Sequence, residues 1–242
     1  MLQLNAFQPG LRQAVIATVS EIAEQCDGIR CDMAMLMLNN IFERTWGSRS
    51  GVKPVNDYWT TVIPAIKAKW PEFRFMAEAY WDLEWELQQQ GFDFCYDKKL
   101  YDRMEHGAAE DVRLHLLADL PYQERMVRFI ETHDGPRAAA AVAILTLPGA
   151  SLLHEGQFEG LKVRLPVFLA RCPEEAVDHD LAAFYGRLLK EINSDVFRNG
   201  EWRLNDELSG ESYDRSGEEV LDAGLYVDLG PWKCHLFQVR AM

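Results

Sequence analysis

The chain has 242 residues, 48% of them hydrophobic, which is enough to bury a substantial core and weighs against a disordered chain. Its formal net charge is −13 with a pI of about 4.9, which argues against nucleic acid or an anionic membrane surface as a main partner. Acidity of this kind suits a neutral ligand such as a sugar.

In chain order, Leu11, Val15, Val19, Ile22 and Ala23 recur at helical spacing between Gln8 and Gln25, with Pro9 where a first turn tolerates it. Asp27 to Ala34 reads as a short buried strand carrying Arg30 and ending at Asp32. Met33 to Leu38 and a loop with Arg44, Trp46 and Gly47 follow. Asn56 or Asp57 can cap the next helix, which carries Trp59, Val62, Ile63, Ile66 and Trp70, with a kink expected at Pro64. Pro71 ends it, and Phe73 to Ala77 is a second strand delivering Glu78. Trp81 to Gln90 reads as helix, with Glu84 and Glu86 on a solvated face and Gly91 closing it. Phe92 to Tyr96 alternates as a strand, and Ala108 to Leu120 returns to helical spacing. Val127 to Ile130 is a strand leading to His133 and Asp134, Pro136 to Leu147 a helix, Ser151 to His154 a fifth strand, and Asp180 to Ile192 an amphipathic helix.

Strand and helix thus alternate about five times, the pattern of a parallel sheet or barrel. Gly200 to Ser216 is polar and turn-rich. Leu225 to Val227 and Trp232 to Val239 read as two strands joined by Gly230-Pro231.

Five cysteines (26, 31, 95, 172 and 234) show no CxxC pair or finger spacing, so unpaired thiols in a reducing cytoplasm are expected. The first residues carry no signal-peptide pattern, and the apolar run from Ala138 to Ala150 is broken by Pro148-Gly149 and too short to cross a bilayer. No membrane association and no nucleic-acid partner are expected. His154-Glu155 lacks a third ligand at helical spacing, so no metal or other cofactor is expected. No glycine-rich phosphate loop follows any strand, which weighs against a nucleotide-binding sheet.

Three strands each deliver a carboxylate at or near the C-terminal end: Asp32, Glu78 and Asp134. In a parallel barrel these ends ring one opening. Arg30 lies two residues before Asp32 and therefore on the same strand face. His133 precedes Asp134 and can donate to a hydroxyl, while Tyr80 and Trp81 stand next to Glu78 as stacking surfaces or core.

Gly28-Ile29-Arg30-Cys31-Asp32-Met33-Ala34, Ala77-Glu78-Ala79-Tyr80-Trp81 and Phe129-Ile130-Glu131-Thr132-His133-Asp134 resemble three conserved strand motifs of the α-amylase superfamily, glycoside hydrolase family 13, in order and spacing. Leu147-Pro148-Gly149 through Leu153-His154-Glu155-Gly156-Gln157 resembles the passage into that family's last strand. The resemblance implies an α/β fold: a partial (β/α)8 TIM barrel, strands four to eight, with a small C-terminal β segment. Residues 1–195 would be the C-terminal part of the barrel and 196–242 a shortened C-terminal β region.

The resemblance also implies a retaining hydrolysis of α-glucans or maltooligosaccharides. Asp32 would be the nucleophile, Glu78 the acid/base, Asp134 the stabilising third acid, and Arg30, His133, Tyr80 and Trp81 substrate contacts. The alternative is a non-catalytic barrel fragment that binds sugar or a partner chain.

Several departures stand beside the resemblance. The family's first motif, an Asp and an Asn-His pair on the third strand, has no counterpart, and the tail is short. Thr132 stands where asparagine is usual, and Gly135 is likewise unusual in its place. A half-barrel has two open strand edges, so a complementing N-terminal half, self-association or a rearrangement of the domain is expected.

Overall fold

The computed structural model describes residues 4–130, 141–163, 174–192, 200–206, 209–223, 225 and 237–242. It divides into two compact units, Met1–Val177 and Asp178–Met242.

The first unit is built on a five-stranded parallel sheet in sequential order: β1 (Gly28–Cys31), β2 (Arg74–Ala77), β3 (Phe94–Tyr96), β4 (Met126–Arg128) and β5 (Ala150–Ser151). This matches the strand and helix alternation expected of five consecutive units of a (β/α) barrel. Among the described residues β1 and β5 are the outer strands. Helix α1 (Pro9–Ala23) leads in, and α2 (Asn39–Trp46) and α3 (Tyr58–Lys67) separate β1 from β2. Next come α4 (Glu84–Gln89) before β3, and α5 (Lys98–His106), α6 (Ala109–His115) and α7 (Leu120–Gln123) before β4. Helix α8 (Ala141–Thr146) precedes β5.

The register sets which side chains share a face. Arg30 pairs with Met76 and Met76 with Phe94, while Tyr96 pairs with Val127, so Arg30, Met76, Phe94, Tyr96 and Val127 point one way. Phe75, Ala77, Cys95, Met126 and Arg128 point the other way, into the helices, and all are buried. There Val62, Ile63 and Ile66 of α3 join Phe75 and Phe92 in one core, with Trp59 edge-on to Phe92 at 4.8 Å between ring centres. Each such side chain contributes about 1.5–3 kcal/mol by leaving water. Gly28 is needed for the β1–β2 contact, because a Cβ there would stand 2.5 Å from the Arg74 carbonyl oxygen.

Several elements differ from the sequence expectation. The loop expected after Leu38 is largely α2, whose first residue, Asn39, donates its backbone N–H to Asp57 Oδ1 at 2.7 Å. Asp57 also occupies the cap position of α3, but makes no side-chain bond to that helix. Helix α4 begins at Glu84 rather than Trp81, because Trp81 and Asp82 take left-handed backbone angles (φ 65° and 61°) that no helix accepts. Glu84 is buried, not on a solvated face. The helix expected over 108–120 breaks into α6 and α7, and α5, unanticipated, starts where Asp97 Oδ1 accepts the Leu100 N–H at 3.0 Å. The fifth strand lies slightly earlier than expected, at Ala150–Ser151.

The second unit holds α9 (His179–Ile192), an antiparallel sheet of β6 (Glu201–Asp206), β7 (Ser212–Ser216) and β8 (Phe237–Ala241) in the order β7-β6-β8, and α10 (Gly217–Ala223). The stretch that reads as turn-rich is therefore a hairpin. Trp202, Leu204 and Asp206 of β6 are buried and alternate with outward residues. Arg203 faces its register partner Asp214 in a two-pronged ion pair, at 2.7 and 2.8 Å. Most of the two strands expected over 225–227 and 232–239 lies outside the described residues. The part described, Phe237–Ala241, is β8.

Among the described residues no helix is long and apolar enough to cross a membrane.

Candidate active site

β1 and β2 end side by side, so the residues that follow them become neighbours. Cys31 is in register with Ala77, and the pairing continues past the strand ends, with Glu78 N donating to Cys31 O at 3.0 Å and Ala34 N to Glu78 O at 3.1 Å. Asp32 and Glu78 are thereby adjacent on the face that carries Arg30. Between them Met33 turns the chain in the left-handed region, φ 45°, and aims its backbone N–H at Glu78 Oε2, 2.8 Å away.

One guanidinium joins the two acids. Arg30 donates from Nη1 to Asp32 Oδ1 at 2.7 Å and from Nη2 to Glu78 Oε2 at 2.9 Å. Tyr80 donates its hydroxyl to Glu78 Oε1 at 2.8 Å. Burial, together with the Glu78 carboxylate it serves, pushes the Tyr80 phenol up to about 12, so it remains a neutral donor at physiological pH. The Tyr96 ring lies 5.6 Å from the Arg30 guanidinium carbon and supports it from below.

Exposure separates the two carboxylates. The Asp32 side chain is 75% exposed, whereas that of Glu78 is 11% exposed and held by donors on both oxygens. The pair thus offers one carboxylate open to attack a bound electrophile and one held in a fixed direction beside it. Trp81, 58% exposed, follows Tyr80 in the left-handed turn, and Asp82 after it pairs with Lys99 at the start of α5.

The structure therefore brings together Asp32, Glu78, Arg30 and Tyr80 and sets Trp81 next to them in the chain. Asp134 and His133 lie outside the described residues. Sequence reading missed Tyr96 and the Met33 N–H. Tyr96 could have been found from the period-two alternation of Phe94-Cys95-Tyr96, whereas a backbone donor leaves no side-chain signature. Among the described residues no cluster of three or more His, Cys, Asp or Glu is arranged to hold a metal ion.

A second arginine–carboxylate group lies on the helix-packed face. Arg128 of β4 and Asp97 after β3 form a fully buried ion pair; Asp97 Oδ2 also meets His115 Nε2 at 2.9 Å, and Arg128 donates to the side-chain oxygen of Gln123.

No family model matches the chain. The α-amylase MalA of Haloarcula japonica is 27% identical over a match that covers 64% of this chain and 23% of that protein. Among solved structures, an α-amylase from Lactobacillus plantarum is similar at a TM-score of 0.55 and 20% identity, over 86% of this chain and 53% of that one. The cyclic α-maltosyl-(1→6)-maltose hydrolase of Arthrobacter globiformis, in complex with maltose, is similar at 0.59 and 17% identity, over 82% of this chain and 48% of that one. The debranching enzyme of Nostoc punctiforme is similar at 0.57 and 18% identity, over 88% and 48%. The chain thus spans about a quarter of the curated relative and about half of these structures. The shared fold is part of a (β/α)8 barrel.

Proposed function

We propose, from the premise that this chain is a relative of the α-amylase family over part of those proteins' length, that it carries the carboxylate pair of a retaining glycoside hydrolase acting on α-glucosidic bonds. The observation that carries this reading is the Arg30 guanidinium bridging Asp32 and Glu78 at the ends of adjacent strands.

Retention requires two carboxyl groups on either side of the scissile bond, close enough that one can bond directly to the sugar. Asp32, the exposed member, attacks the anomeric carbon. As that bond forms, the bond to the leaving oxygen breaks and Glu78 gives its proton to that oxygen. Water then attacks the same carbon, Glu78 takes a proton from it, and Asp32 is released. Arg30 orients Asp32; Tyr80 and the Met33 N–H hold Glu78 in direction. Trp81 offers an exposed ring to a sugar face, and Asp134 and His133 complete the set by resemblance.

The substrate is an α-glucan or maltooligosaccharide. β1 and β5, outermost among the described residues, are the surfaces at which a complementing barrel half or a second copy would pair.

The test is hydrolysis of an aryl α-glucoside by the full chain, alone and with added strands one to three of a barrel. Turnover should fall by about 10³-fold or more in Asp32→Asn and in Glu78→Gln. Proton NMR of the first product should show the α-anomer. Folded protein without turnover in either arrangement contradicts the reading, and β-anomer first contradicts retention.

A further inference from the structure

A cleft of about 580 Å³ opens between α4, α5, α6 and α7, within the size range of small-molecule sites, roughly 300–1,000 Å³. One wall is aromatic. Trp85 is 58% exposed although its ring lies 6.2 Å from that of Tyr122, and Leu114, also exposed, lines the same cleft. A large indole left half in water on a short helix is, among the described residues, an apolar surface open to a ligand.

The polar lining is specific as well. Glu84, next to Trp85, is 5% exposed, and its carboxyl accepts from its own backbone N–H. Burial pushes it above the ordinary carboxylate range, so it is a group that gains from a hydroxyl donor. Asp82 and Lys99 neutralise each other at the rim, leaving Arg103 and Asp119 as a further donor and acceptor.

With three acids, two bases and His115, the lining has no positive excess to hold a polyanion, and Asp82 is already paired with Lys99. What matches it is a neutral, hydroxyl-rich ring with one apolar C–H face. We infer that this cleft binds a neutral oligosaccharide, one pyranose lying over Trp85 with its hydroxyls on Glu84, Arg103 and Asp119. The inference stands on the cleft alone and does not require Asp32 or Glu78 to turn anything over.

The test is titration calorimetry and tryptophan fluorescence of the full chain, carrying Glu78→Gln to suppress turnover, with maltoheptaose and with cellohexaose as probes. At least one probe should bind, and Trp85→Ala should weaken it about tenfold or more, with Trp85→Phe retaining most of the affinity. Leu114→Arg, at an exposed position that tolerates charge, should weaken it too, which guards against a folding defect in the tryptophan variant. Binding of neither probe overturns the inference. So does affinity that is unchanged in Trp85→Ala and Leu114→Arg but lost in Trp81→Ala, which would assign the sugar to the carboxylate site alone. Hydrolysis of a short aryl α-glucoside by Trp85→Ala, in a chain with Glu78 intact, should equal that of the parent, so failure of this site and failure of the catalytic reading are measured separately.

Discussion

Arg30 and Arg128 both leave a strand of the same sheet to pair with a carboxylate, but they do so on opposite faces and in opposite surroundings. Arg30 reaches two acids where the strands end, and its own side chain is 43% exposed. Arg128 reaches Asp97 beneath α5, α6 and α7, with both side chains fully buried and the remaining bonding positions taken up by His115, Gln123 and the Leu100 N–H. The same pair of residue types therefore serves two ends. In the buried group every partner is internal, so little is left over for a ligand and the whole is committed to holding β3, β4 and their helices together. In the open group Asp32 spends one bond on Arg30 and keeps most of its surface in solvent, where a ligand can replace water.

The comparison can be broken by removing the carboxylate from each. Asp97→Ala leaves Arg128 charged, buried and unpaired and also uncaps α5, so denaturant unfolding should show a loss of about 3–5 kcal/mol. Asp32→Ala removes a side chain that is 75% exposed and should stay within about 0.5 kcal/mol of the parent. Equal losses in the two variants would mean that the open group is structural as well.

A smaller effect sharpens the contrast through pH. Asp93 links β2 and β3, accepting from the Phe75 N–H at 2.8 Å and from Lys67 at 2.6 Å. Burial works to raise it, but Lys67, the Phe75 N–H and Arg74 together hold it below the ordinary carboxylate range. A depressed folded value means that its contribution is present above the unfolded value, about 3.9, and is lost as pH falls through the folded one. Stability measured by thermal melting should therefore drop below about pH 4, and Asp93→Asn should remove part of that drop. An identical acid profile in the variant would show that Asp93 contributes nothing to it.

Much of the fold is legible along the chain where one face is apolar at a clear period. α1, α3, α9, β1 and β2 are of this kind, and the carboxylates at the ends of β1 and β2 follow from the strand positions. What stays hidden depends on partners distant in sequence. α2 starts on a hydrogen bond to Asp57, eighteen residues on, and α5 carries few apolar residues, its signal being the capping Asp97. β6 does alternate, Trp202 and Leu204 against Glu201, Arg203 and Asn205, but its hairpin partner β7 has a polar sequence and masks the pattern. The adjacency of Asp32 and Glu78 could be expected from strand order; the single arginine joining them could not, because its reach depends on the β1–β2 register.

The central claim, that Asp32 is a nucleophile beside Glu78, is tested most directly by covalent trapping. Incubation with a fluorinated α-glucosyl fluoride, digestion and mass spectrometry should find the sugar on the peptide containing Asp32, and no adduct in Asp32→Asn. Label on another carboxylate, or no adduct on folded protein with or without a complementing barrel half, would contradict it.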